Sequence, residues 1–155
     1  MGGRYVAGMR LIRYLAAGAS GIVAMEIASY LDMLVRGRPG SDQPQQLGER
    51  LSERVHFAPG ASEEAMARRN ALGSVVGYVD GLALPLLVAL VRPHRHSVLA
   101  DAVVLTAGAM VGSSALPVAL DVTDLRRWSR DDWLTDLVPH LAYGAVASTV
   151  SHFGR

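Results

Sequence analysis

The chain contains no cysteine. Disulfides, thiolate metal sites and cysteine nucleophiles are therefore excluded. Lysine is absent as well, so all 15 basic residues are arginine. That removes a Schiff-base lysine and the lysine of a P-loop. No strong charge of either sign is present: the formal net charge is +1, which gives a nucleic-acid partner no support. No phosphate-cradling glycine loop, HExxH helix or nucleophile elbow occurs. These absences point away from the common enzyme classes, and no cofactor is expected.

What the sequence does hold is four long apolar stretches, at about 14–34, 70–91, 98–120 and 136–153. About 20 apolar residues match the hydrocarbon thickness of a bilayer. Half of the residues are hydrophobic, and mean hydropathy is a modest +0.24, because the spans use Ala and Gly rather than Leu and Ile. The expected fold is all-α: a four-helix transmembrane bundle forming one integral membrane domain over residues 1–155. The arginine-only, Ala- and Gly-rich composition reads as a GC-rich bacterial coding bias. Arg4, Arg10 and Arg13 precede the first apolar run, which continues without a clean cleavage site. An uncleaved first span is expected rather than a signal peptide. Arginine placement leaves the orientation open.

The connections carry their own signals. Arg36-Gly37-Arg38-Pro39-Gly40 is a basic, helix-breaking exit from span one. Ser41 to Val55 predicts a short amphipathic helix with Pro44 in its first turn and Leu47, Leu51 and Val55 on one face. It suits a membrane surface or a solvated loop equally. Pro59-Gly60 ends it, and Ser62 with Glu63 and Glu64 starts the next helix. Pro85 predicts a kink in span two. Arg92 to His96 reads as a tight turn joining spans two and three, with His94 and His96 solvated. Trp128 and Trp133 suit the interfacial belt before span four, the shortest of the four.

Membrane helices approach through small residues. Gly73, Gly77 and Gly81 on span two, Gly108 and Gly112 on span three, and Gly144 on span four are the expected packing positions. Each span also carries an ionisable group: Glu26 and Asp32, Asp80, Asp101, and His140. Such groups inside a bilayer cost on the order of 3 kcal/mol each, so they are candidate ion or proton sites, with packing glue as the structural alternative. Helical spacing places most of them beside the glycines, in the seams. Depth suggests two contacts, Asp32 with His140 and Glu26 with Asp80. The second would join two carboxylates that cannot both ionise cheaply, so that they hold a proton or share a cation. Asp121, Asp124, Asp131, Asp132 and Asp136 invite a divalent-metal enzyme reading, but the interleaved Arg126, Arg127 and Arg130 favour a salt-bridged loop, and no metal is expected.

Arg38-Pro39-x-Ser41, Asp80-Gly81 and the segment Asp131 to Gly144 together resemble small bacterial inner-membrane proteins, distantly the YagU-like group. The resemblance implies four spans with a histidine entering the last. It marks Asp132, Trp133, Asp136, Pro139, His140, Tyr143 and Gly144, with Asp132, Trp133, Asp136 and Tyr143 near the interface. Three functions follow from the sequence, in order of expectation. The first is a non-enzymatic bundle associating with lipid and with itself or a larger membrane complex. The second is a small proton- or cation-coupled transporter or channel subunit using Glu26 and Asp80. The third is a membrane enzyme using the Asp121–Asp136 loop and His140.

Overall fold

A computed structural model describes residues 2–57, 60–92 and 97–153, with side chains from residue 8 onward. The described residues form helices α1 (Gly2–Arg36), α2 (Gln43–Val55), α3 (Glu63–Val91), α4 (Val98–Ala119) and α5 (Arg130–His152), with a 3-10 turn at Leu125–Arg127 before α5. No strand occurs among them. The expected turn at Pro93–His96, with His94 and His96, lies outside the described residues, as do Ala58 and Pro59.

Local chemistry sets the helix ends. Ser62, Ser97 and Ser129 each accept the backbone N–H three residues on, at Ala65, Ala100 and Asp132. A hydroxyl cap of this kind satisfies one of the four free amides at a helix start. At α5 the cap is reciprocal, because Asp132 accepts from the Ser129 backbone N–H at 2.8 Å and from its hydroxyl at 2.7 Å. These bonds hold the exposed Asp132 carboxyl below its ordinary 3.8, the Ser129 hydroxyl acting first and its backbone second. A depressed carboxyl stabilises the helix above its unfolded value and loses that effect as pH falls through the folded one. The first turn of α5 is therefore expected to fray as pH falls below about 4, seen as faster exchange of the Ser129 and Asp132 amides. Asp132→Asn should remove that pH dependence; an unchanged profile refutes the cap.

Around a small apolar core of Ala17, Ile22, Leu105, Ala109, Tyr143 and Ala147, many large apolar side chains face outward. Ile12, Val23, Ile27, Leu31, Leu34, Val75, Val79, Leu87, Leu90, Val103 and Val111 all lie exposed. The buried positions also include Ser52, Asp101, Thr106, Ser114, His140, Ser148 and Ser151. Water-soluble domains bury their large apolar side chains and rarely expose them in continuous bands. Three helices, Gly8–Arg36, Glu63–Val91 and Val98–Ala119, are long and apolar enough to cross a membrane. Only 6% of the most apolar window of α3 is buried within the protein. The fourth expected span, in α5, does not meet that standard. Its buried face mixes Pro139, Tyr143, Gly144 and Ala147 with the polar His140, Ser148 and Ser151, which lowers its mean hydropathy.

Helix pairing is dominated by close backbone approach. α5 lies between α1 and α4, α3 packs on α1, and α2 packs on α3. A Cβ at Gly18 of α1 would sit 2.7 Å from the Gly81 carbonyl of α3. One at Gly144 of α5 would sit 2.6 Å from the Ala102 carbonyl of α4 and also clash with Thr106. Gly81 faces Ile22, and Gly108 faces Leu84. Gly77 has open space around it, so that expected packing position makes no contact within the bundle. Gly73 does pack, but against Pro44 and Gly48 of α2 rather than against another span.

Helix α2 appears where expected, with Pro44 in its first turn. Its buried face is Leu47, Gly48 and Ser52, while Val55 is exposed. The difference arises because Gly48 sits directly on the Arg69 carbonyl of α3, which turns the small residue inward and Val55 out. α3 and α4 continue as unbroken helix through Pro85 and Pro117.

Candidate functional site

A cavity of about 750 Å³ opens at one end of the bundle. Its walls are the second half of α1 (Met25, Glu26, Ser29, Tyr30, Met33), the α1–α2 connection (Arg38, Ser41, Asp42), the start of α2, Thr123 and Trp128 from the α4–α5 connection, and Asp132 to His140 of α5. The cavity thus lies at the end of the bundle where α1 leads into α2 and α4 into α5.

His140 is buried. Its Nδ1 lies 2.6 Å from the Asp136 backbone carbonyl and 3.5 Å from the Asp136 carboxylate, so Nδ1 donates within its own helix. Its Nε2 faces the Ser113 hydroxyl of α4 at 3.2 Å. That hydroxyl also lies 3.2 Å from the Met110 carbonyl. Ser113 has a single proton, so it donates either to Met110 or to the imidazole. When the imidazole carries a second proton, Nε2 donates to Ser113 and the hydroxyl turns to Met110. The histidine thus has a hydrogen-bonded arrangement in either charge state. The second carboxylate oxygen of Asp136, Oδ2, is buried with no hydrogen-bond partner.

The other candidates separate into distinct places. Asp32 forms ion pairs with Arg36 at 2.9 Å and with Arg38. The expected Asp32–His140 contact does not form, because two arginines within six residues outcompete a histidine on another helix. Asp80 does not line the cavity: its carboxylate lies against Gly112, 2.5 Å from where a Cβ would stand, in the seam between α3 and α4. Glu26 lines the cavity, and no hydrogen bond or ion pair joins it to Asp80. The two regions adjoin on α4, where His140 faces Ser113 and Asp80 lies against the neighbouring Gly112. Asp101 is buried and pairs with Arg92 at 3.4 Å and with His152 at 3.5 Å, tying the ends of α3, α4 and α5 together.

Asp131 is largely exposed, and Asp132 is engaged with Ser129. Among the described residues no three His, Asp or Glu side chains converge in a metal-binding group. The convergence required by the metal-enzyme reading is therefore missing. Trp128 and Trp133 stack edge to face at 4.9 Å, and the Trp128 indole N–H donates to Thr123 at 3.0 Å.

Tyr143, expected near the interface, is instead fully buried. Its hydroxyl donates to the Gly81 carbonyl at 2.6 Å. In an uninterrupted helix that carbonyl would accept from the amide four residues on, but residue 85 is proline and has no N–H. Tyrosine of α5 therefore supplies the bond that proline removes from α3. The proline was visible in the sequence, and with it the carbonyl that needed a donor; which side chain would reach it was not. Matching against protein-family models, curated proteins and solved structures finds no family, relative or fold neighbour for this chain.

Proposed function

We propose that the protein is a small polytopic bacterial inner-membrane protein, with α5 as a fourth span, that admits a proton or monovalent cation to a site formed by Glu26, Asp136 and His140. One observation carries this reading. A cavity open at one end of an apolar-surfaced bundle is lined by Glu26 of α1, which has no ion pair or side-chain hydrogen bond among the described residues, and by the Asp136–His140 pair of α5. An intramembrane ionisable group that faces a cavity is more suited to an ion pathway than to packing. Asp80 then lies beyond His140 as the next acid inward, which replaces the direct Glu26–Asp80 pairing by a route through the histidine. A bundle whose polar groups serve only as packing glue would have paired Glu26 off, as it pairs Asp32, Asp101 and Asp136. Self-association is compatible with this reading, since Gly77 and its neighbours on α3 leave a face open.

Reconstitution in liposomes loaded with a pH-sensitive dye tests it. With an imposed proton, sodium or potassium gradient, the wild-type protein should dissipate the gradient faster than empty liposomes. Glu26→Gln should slow that rate at least tenfold, an effect on the order of 1.4 kcal/mol. Rates equal to those of empty liposomes for all three ions would overturn the transport reading and leave a scaffold.

A further inference from the structure

We propose that Ser113 is an acyl-acceptor site: its hydroxyl, activated by His140, takes an acyl group from an ester dissolved in the apolar phase around the bundle. This is a chemistry separate from ion passage, and it uses the ring nitrogen of His140 that is turned to α4.

A serine hydroxyl is a weak nucleophile until a neighbouring base takes its proton. The Nδ1 of His140 lies 2.6 Å from the Asp136 backbone carbonyl and 3.5 Å from the Asp136 carboxylate. Two acceptors on that side keep the proton on Nδ1. Nε2 of the neutral ring is then an acceptor, and it faces the Ser113 hydroxyl at 3.2 Å. The Met110 carbonyl, also 3.2 Å from that hydroxyl, shares its proton at rest. A hydroxyl, an imidazole in the receptive tautomer and a carboxylate behind the ring are the relation that serine nucleophiles use on unrelated folds. Asp136 acts through the ring and is a positioning residue. The serine is supplied by a helix crossing rather than by a strand-to-helix turn, so no motif in the sequence announces it.

Exposure differs between the two partners. His140 is buried, whereas Ser113 is exposed on the outer surface of α4. The hydroxyl is open to an electrophile arriving from outside the bundle while its base is shielded. That outer surface is apolar, since α4 is long and apolar enough to cross a membrane and Val111 and Val118 are exposed on it. A charged acyl donor would be costly to bring there, which favours one carrying a hydrocarbon chain. The Ser113 Oγ attacks the ester carbonyl carbon and gives its proton to Nε2. The bond from Oγ to carbon forms, the bond from carbon to the leaving alkoxide breaks, and the alkoxide takes the proton from Nε2. The products are O-acyl Ser113 and a free alcohol, with His140 neutral again. The reaction is expected to be slow, because the amides of the unbroken α4 are engaged within the helix and none is spare for the developing oxyanion.

A long-chain alkyl fluorophosphonate tests this on the intact protein in detergent micelles. Peptide mass spectrometry should find the phosphonyl adduct on Ser113 and not on the exposed cap Ser62. With p-nitrophenyl decanoate, Ser113 should gain a decanoyl group as p-nitrophenol is released. His140→Gln should slow labelling roughly a hundredfold, the scale of a lost general base. In His140→Ala the missing ring opens onto the cavity that His140 lines, and added imidazole should restore labelling, which a merely structural histidine would not allow. The absence of a Ser113 adduct in the parent protein overturns the proposal by itself, even where a His140 variant fails to fold. So does equal labelling of Ser62, or an unchanged rate in His140→Gln with helicity retained. Labelling without ion flux sinks the transport reading alone, and flux without labelling sinks this one alone.

Discussion

Replacing Gly73 by alanine is expected to release α2 from the bundle. A Cβ at this position would fall well inside contact distance of the Pro44 carbonyl oxygen and 3.1 Å from the Gly48 amide nitrogen. Both obstacles are backbone, so no rotamer change relieves them, and the helices have to separate. Overpacking of this kind typically costs about 1–3 kcal/mol, more where backbone must shift. α2 is 13 residues long, carries a glycine at Gly48, and buries only Leu47, Gly48 and Ser52. An isolated helix of that length is marginal in water, so loss of docking should also unwind it. A spin label at Gln46→Cys is unique because the chain has no other cysteine. Its spectrum should change from immobilised to mobile in Gly73→Ala and stay immobilised in Gly77→Ala, where a Cβ meets open space. An immobilised label in Gly73→Ala would show that the close crossing is not what holds α2.

The second large effect is expected at Tyr143. Tyr143→Phe keeps the ring in its seat against Gly21 and removes only the donor to the Gly81 carbonyl. With Pro85 four residues on, that carbonyl then has no partner, and an unsatisfied buried acceptor costs about 1–3 kcal/mol. Pro85→Ala restores an N–H at residue 85 and lets the helix make its own bond. In that background Tyr143→Phe should cost less than about 1 kcal/mol, because the acceptor is already satisfied. Unfolding of the four variants in mixed micelles gives the coupling directly. Equal costs in both backgrounds would mean that the tyrosine hydroxyl does not substitute for the proline's missing amide.

Features governed by near neighbours were legible in the sequence. The start of α3 at Ser62 and the presence of α2 with Pro44 in its first turn both depend on residues within one turn. α1 extends upstream of the apolar run to Gly2, because arginine and alanine sustain a helix beyond the part that lipid would cover. Contacts between helices were less legible. Depth along a span places two groups at one height but says nothing of their direction around the helix. So Asp32 and His140 were matched in height, yet Asp32 is taken by Arg36 and Arg38. Glu26 likewise lines the cavity while Asp80 lies in the seam between α3 and α4. The glycines announced close approach without naming the partner, and for Gly73 the partner was the surface helix. The cavity was the least legible feature, since its wall joins residues from Met25 to His140 that no local pattern connects.

The pairing of α1 with α5 has a consequence for how the protein is made. α1 ends at Arg36 and α5 begins at Arg130, so α1 is complete about 100 residues before one of the two helices it packs against exists. At 5–20 residues per second that interval is roughly 5–20 s. Throughout it, Gly21 has no Tyr143 ring to receive, although α3 is complete by Val91 and can already cover Gly18. A partially synthesised chain is thus a different object from the finished one. It offers the open face at Gly21 to whatever helix is nearby, and the arrival of Tyr143 closes that opportunity.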